Sequence, residues 1–165
     1  MIYYQTANGS RTLAEPNYAG NIIVILANLP DFLRTPILKK RMVEFFGMPE
    51  TEKKQLINNA LEAGPAIPFP NFAKLFKTWL EVLTVLPEDQ RSDLFLAYIN
   101  EISEHPQKLI NFNLDGILEI FLSLDDEKQN SISQSVKKII NSFEDERKRR
   151  LLLVIPDNAQ KCLKF

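Results

Sequence analysis

Five of the ten prolines, Pro30, Pro49, Pro68, Pro87 and Pro106, stand 19 residues apart, and Asp125 and Glu144 extend the same series. Proline lacks a backbone N–H and has a fixed φ, so it suits the first turn of a helix and is costly inside one. A unit of 19 residues fits one helix of about 12–15 residues and a short connection. The apolar pattern agrees. Behind Pro87 stand Leu86, Leu83 and Leu80, with Leu94 ahead. Behind Pro49 stand Met48, Phe45 and Met42, with Leu56 ahead. Behind Asp125 stand Leu124, Phe121 and Leu118, with Ile132 ahead. Steps of three and four mark one face of a helix. Acidic residues follow each of these corners: Glu50 and Glu52, Glu88 and Asp89, Asp126 and Glu127. They sit where the helix dipole favours negative charge. Each corner therefore closes one helix and opens the next, and two units, 38 residues, form one antiparallel pair.

Tandem helix pairs of about 40 residues resemble the HEAT and armadillo class of α-solenoids. The resemblance runs from Arg11 to Cys162. The corner Leu86-Pro87-Glu88-Asp89 is also similar to the helical superhelices of flagellar rotor switch proteins and magnesium-transporter cytosolic domains. No functional residue carries over from either. The resemblance implies an all-α chain folded as a short, right-handed α-solenoid of antiparallel helix pairs.

Helices are expected over residues 18–29, 31–48, 50–63, 71–86, 88–104, 114–124, 126–141 and 144–155, with a short closing helix over 157–164. Pro36 falls inside the second and predicts a kink or a late start. Gly64 to Pro70, with three prolines in seven residues, is the one long irregular connection. It is either a hinge or a packed linker with Ile67 and Phe69 in the core; apolar linker residues favour packing. Residues 107–114 are open between a loop and a first helix. Core positions are Ile23, Leu26, Met42, Phe45, Leu56, Leu80, Leu83, Leu94, Phe121 and Ile132.

With 165 residues, the chain is expected to form one helical-repeat domain over 18–165, preceded by an arm over 1–17. A net charge of −1 argues against a surface that neutralises phosphates, and so against nucleic acid. The single cysteine, Cys162, allows no internal disulfide. No window approaches the ~20 apolar residues of a membrane span, and no secretory signal stands out. A cytoplasmic location, with no membrane insertion, is expected.

Little in the sequence points to catalysis. His105 is the only histidine, and no ligand set at metal-binding spacing is read around it. Cys162 has no histidine base other than His105; a small core hydrophobe is the simpler reading. No phosphate loop, Gly-x-Ser-x-Gly or Cys-x-x-Cys is present. No enzyme, cofactor or metal is expected. The run Arg147-Lys148-Arg149-Arg150 follows Glu144-Asp145-Glu146; Asp145 with Arg149 and Glu146 with Arg150 have the favourable i,i+4 order, which predicts a self-paired face. Lys39-Lys40-Arg41 has the same two readings, solvated face or patch for an acidic partner. Lys53 and Arg91 occupy equivalent places in successive units, with Gln129 next in line, as a ladder along one surface would. Phe72, Phe76 and Trp79 lie close together on one helix. They are either core or, if part-exposed beside the Gly64–Pro70 linker, a partner groove.

The function expected is a non-catalytic scaffold or adaptor that binds another protein, with Phe72, Phe76, Trp79, Lys53 and Arg91 as candidate contacts. The alternative is a nucleic-acid-associated repeat protein within a larger complex. The first helix, with Ile22, Ile23, Ile25, Leu26 and Leu29, has little polar surface for an end helix. It is covered by the arm or forms an interface, and a homo-oligomer is one way to cover it.

Overall fold

The computed structural model describes the backbone of residues 3–5, 11–13 and 18–165 and the side chains from Gly20 onward. Among the described residues the chain is all-helical apart from one small hairpin. Strands β1 (Tyr3–Gln5) and β2 (Arg11–Leu13) pair antiparallel with Tyr3 opposite Leu13 and Gln5 opposite Arg11. The rest of the 1–17 arm lies outside the described residues. Nine α-helices follow among the described residues: α1 (Tyr18–Ala27), α2 (Asp31–Phe46), α3 (Glu50–Ala63), α4 (Phe69–Val85), α5 (Glu88–Glu104), α6 (Leu114–Leu122), α7 (Asp126–Asn141), α8 (Asp145–Val154) and α9 (Asp157–Cys162). No described helix is long and apolar enough to cross a membrane.

The corner residues are N-caps, one position before the first helical turn. Pro30, Pro49, Pro68 and Pro87 have φ between −51° and −59° and ψ between 130° and 151°. Asp125 (φ −65°, ψ 161°) and Glu144 (φ −58°, ψ 148°) adopt the same conformation without the ring. Proline also pushes the residue before it out of the helical region. Leu86 accordingly turns extended, at ψ 153°, directly after α4. One X-Pro step thus stops a helix and starts the next. Each corner carbonyl then accepts the first bond of the new helix, from Arg34 N to Pro30, Lys53 N to Pro49 and Arg91 N to Pro87, at 2.9–3.0 Å.

The last carbonyls of a helix have no partner within it. Glycine commonly resolves this, but among the described residues only Gly47 caps an α-helix C-terminus without a following 3-10 turn. Here the side chain four residues past the corner reaches back instead. Arg34 donates from Nε to Leu26 O at 2.9 Å and from Nη2 to Leu29 O. Arg91 Nη1 reaches Leu83 O at 3.2 Å and Leu86 O at 3.5 Å. Gln129 Nε2 reaches Leu122 O at 3.0 Å and Leu124 O at 2.7 Å. Past the off-period corner at Pro156, Gln160 Nε2 reaches Leu152 O at 2.6 Å and Ile155 O at 2.9 Å. Two of these arginines also cross to a neighbouring helix. Arg91 Nε donates to Ser135 Oγ of α7 at 3.0 Å, and Arg34 Nη1 lies 3.5 Å from Thr78 Oγ1 of α4.

Helices two apart in sequence pack together: α1 on α3, α3 on α5 and α5 on α7, and likewise α2 on α4 and α4 on α6. Helix α4 also meets α1 and α7. The core lies between these rows. Leu26, Met42, Phe45, Leu80, Leu83, Leu94 and Ile132 are buried, and Ile23, Leu56 and Phe121 are half-buried against them. Pro36 does not delay α2, which begins at Asp31 and carries the proline on its exposed side. The Gly64–Pro70 linker is packed: a 3-10 turn over Gly64–Ala66, buried Ile67, and α4 already under way at Phe69.

The ladder breaks once. Pro106 opens a 3-10 turn, Pro106–Leu109, and α6 starts only at Leu114, where Asn113 Oδ1 accepts from Gly116 N at 2.9 Å. Helix α6 is pressed close to the start of α4. A Cβ on Gly116 would come within 2.4 Å of the Phe69 ring.

Leu83, fully buried, should cost about 2–5 kcal/mol when cut to alanine. Pro87→Ala should cost less than about 1 kcal/mol, because the ring mainly restricts the unfolded chain; urea titrations of the two variants measure both. Arg91→Ala orphans carbonyls at the end of α4 and should cost about 1–3 kcal/mol. Arg91→Gln should recover part of that loss, since glutamine serves at Gln129 and Gln160. Equal losses for the two Arg91 variants would show that the carbonyl bonds contribute little.

Candidate interaction surface

The side chains expected to form a partner surface are largely engaged in holding the fold. Arg91 is committed to α4 carbonyls and to Ser135. Lys53 lies 5.4 Å over the Phe45 ring and 3.3 Å from Glu50, with its side chain mostly covered. Of the ladder Lys53, Arg91 and Gln129, the last two brace their corners as carbonyl caps, while Lys53 pairs with Glu50 and lies over Phe45.

Phe72, Phe76 and Trp79 are all half-buried. They form a continuous row of rings along α4. Phe72 stacks on Phe76 at 5.7 Å, and Phe76 on Trp79 at 5.6 Å. Trp79 meets Phe95 and Tyr98 of α5 edge-on at 5.8 and 5.3 Å, and Phe72 meets Phe112 at 5.8 Å. Such pairs prefer offset and edge-to-face geometry and add to the area they bury. The row ties α4 to α5 and to the Pro106 turn. Two shallow grooves, of about 550 and 630 Å³, flank that turn. The first is lined by Ile110, Phe112 and Val154, the second by Leu61, Lys108 and Asn111. Neither is lined by Phe76 or Trp79.

His105 has more company than the sequence suggested. Glu101, Glu104 and His105, at i, i+3 and i+4 of one helical stretch, bring ligand atoms within 4.8 Å of one another. This corrects the expectation of no ligand set there; the spacing on α5 was the signal. The carboxylates already have cations. Lys108 Nζ is 2.7 Å from Glu101 Oε1 and also bonds Asn58, and Lys54 Nζ is 3.0 Å from Glu104 Oε2. A metal ion would have to displace both ammonium groups. The Lys54 partner holds the Glu104 carboxyl below its usual range, and Glu104 raises Lys54 in turn. Both groups are well exposed, so solvent screens the pair.

The self-paired face expected on α8 does not form. Among the described residues Asp145, Glu146, Arg149 and Arg150 make no ion pair. Arg147 instead turns inward, 3.9 Å over the Phe143 ring, and donates to Asn100 Oδ1 at 2.5 Å and Ser103 Oγ at 3.3 Å on α5.

Val85, Ile110, Leu122 and Leu153 are exposed on separate elements, and the exposed apolar residues cluster at the N-terminal end. On α2, Arg34, Leu38, Met42 and Phe45 face inward. The opposite side carries Phe32, 76% exposed, with Leu33, Ile37 and Val43 at 40%, 39% and 49%. At about 3.6 residues per turn, Phe32, Pro36 and Val43 fall on one line and Leu33 and Ile37 on the next, with Lys40 between. Helix α1 adds exposed Val24 and Ile25. This agrees with the apolar end helix read from α1 but places most of the surface on α2. The signal was present: these residues are apolar yet out of phase with the Leu38–Met42–Phe45 face. Comparison of the chain with protein-family models, curated proteins and solved structures found no match.

Burial raises the Tyr98 phenol from its ordinary 10.0 to about 12. The neutral ring is favoured in the fold, so its contribution is complete below about pH 10 and is lost as pH rises toward 12. One of the four tyrosines should titrate late in tyrosinate absorbance, near the onset of alkaline unfolding. Tyr98→Phe should remove that late step.

Proposed function

We propose that the chain is a non-catalytic scaffold, a short α-solenoid that binds another protein through its N-terminal end. The packing of helices two apart in sequence supports the solenoid reading, because stacked pairs bury a continuous core. The observation that carries the binding reading is the outer side of α2. Phe32, Leu33, Ile37 and Val43 remain exposed along a helix whose other face is fully packed. An end unit normally presents a polar outer face, and contiguous exposed apolar residues mark interaction sites. Aromatic anchors such as Phe32 supply much of the binding energy when a partner covers them.

Affinity capture with the wild-type chain and with a Phe32→Asp/Ile37→Asp variant tests this. The variant should lose the captured partner while its circular dichroism and Tm stay close to wild type, because exposed positions away from the core change stability little. Unchanged capture by the variant would remove the α2 surface as the docking site.

A further inference from the structure

We propose that the α2 stripe receives an acidic amphipathic helix of a partner protein; this rests on the docking reading above. Helix α2 has 16 residues, about 24 Å of length, enough for a partner helix to lie along it. It packs on α1 and α4, and the stripe is the side opposite its buried residues. Three cations and one carboxylate accompany the apolar residues, the carboxylate being Glu44, which continues the Leu33–Ile37 line. Lys39 falls beside the Phe32 line, Arg41 beside the Leu33–Ile37 line, and Lys40 in the middle of the stripe. Arg41 is paired with Glu44 at 3.0 Å. Lys39 and Lys40 are exposed and have no anionic partner among the described residues.

That charge pattern selects the occupant. A second copy of the chain laid stripe to stripe would bring two Lys40 groups together at the centre of the contact, and like charges in an interface are unfavourable. An anionic membrane takes helices whose basic residues are confined to the polar face; Lys40 stands inside the apolar one. A partner helix with leucines at i, i+3, i+4 and i+7 fills the stripe. Glutamates among and beside those leucines meet Lys40 and Lys39.

The test uses two labelled synthetic helical peptides with the same leucine spacing, one carrying glutamates and one lysines at the flanking positions, with binding followed by fluorescence anisotropy. Vesicles of anionic phospholipid and sedimentation of the chain alone complete it. The acidic peptide should bind and the basic one should not. A Lys39→Glu/Lys40→Glu chain should bind the acidic peptide about tenfold or more weakly and now accept the basic one. Equal binding of both peptides overturns the proposal, as does preferential binding to vesicles or a dimer that Ile37→Asp dissociates. If Phe32→Asp/Ile37→Asp abolishes capture of a protein while neither peptide binds, the docking surface stands and the acidic helix falls. If capture survives that variant, both fall.

Discussion

The last carbonyls of each helix are the constraint on which the corners depend. A helix that ends against another element leaves acceptors that water cannot reach freely, and each needs a donor. This chain has only five glycines and at four corners meets the need from outside the helix, with the side chain four residues past the corner. Arg34, Arg91, Gln129 and Gln160 all reach carbonyls five to eight positions back. The bond joins the end of one helix to the first turn of the next. A short X-Pro connection can therefore be rigid without a loop of its own. The same reach lets both Pro and Asp serve as braced corner residues, since the corner itself supplies backbone conformation and the brace comes from further along.

The brace is not present at every corner: Lys53 past Pro49 pairs with Glu50 and Lys148 past Glu144 bonds the Asn141 side chain, while the corners at Pro68 and Pro106 depart from the pattern. Four residues past Pro68 is Phe72, and four past Pro106 is Ile110; neither can donate to a carbonyl. These two corners are also the ones with 3-10 turns, Gly64–Ala66 before Pro68 and Pro106–Leu109 after Pro106. A 3-10 turn supplies local i→i+3 bonds and so satisfies the chain by another route. Phe72 instead joins the ring row that links α4 to Phe112. Ile110 is left 78% exposed, and the shortened α6 leaves the groove lined by Ile110, Phe112 and Val154. Lys108 fills the polar role from an unexpected place, pairing with buried Glu101 and bonding Asn58 across to α3.

The candidate surface was only partly legible. Exposed Val24 and Ile25 on α1 follow from a short segment that is apolar on every side. The stripe on α2 was harder to see, because Phe32, Leu33, Ile37 and Val43 are interleaved with residues that do face the core. Which set turns inward depends on what the helix packs against. Arg34 illustrates the point. A charged residue is 2% exposed because its guanidinium caps α1, while the phenylalanine two positions earlier stays in solvent. The aromatic group on α4 could be read as core or as a part-exposed groove: Phe72, Phe76 and Trp79 are half-buried in a packed row of rings, and neither groove beside the Pro106 turn is lined by Phe76 or Trp79.

The sequence by itself determined where most of the helices begin. Those limits are set by local chemistry, the X-Pro step, the acidic first turn and the apolar spacing, and the structure has them at Pro30, Pro49, Pro87, Asp125 and Glu144; after Pro68 the helix starts at Phe69 rather than at 71, and Pro106 opens only a 3-10 turn. Tertiary structure alone decided the role of the polar residues on those helices. Arg91 and Arg147 differ little from any exposed arginine in sequence, yet one braces a corner and the other stacks on Phe143 and bonds α5. The reason is range. Helix limits depend on bonds made within about four residues, whereas the fate of a long cationic side chain depends on acceptors that only the packed neighbours bring within reach.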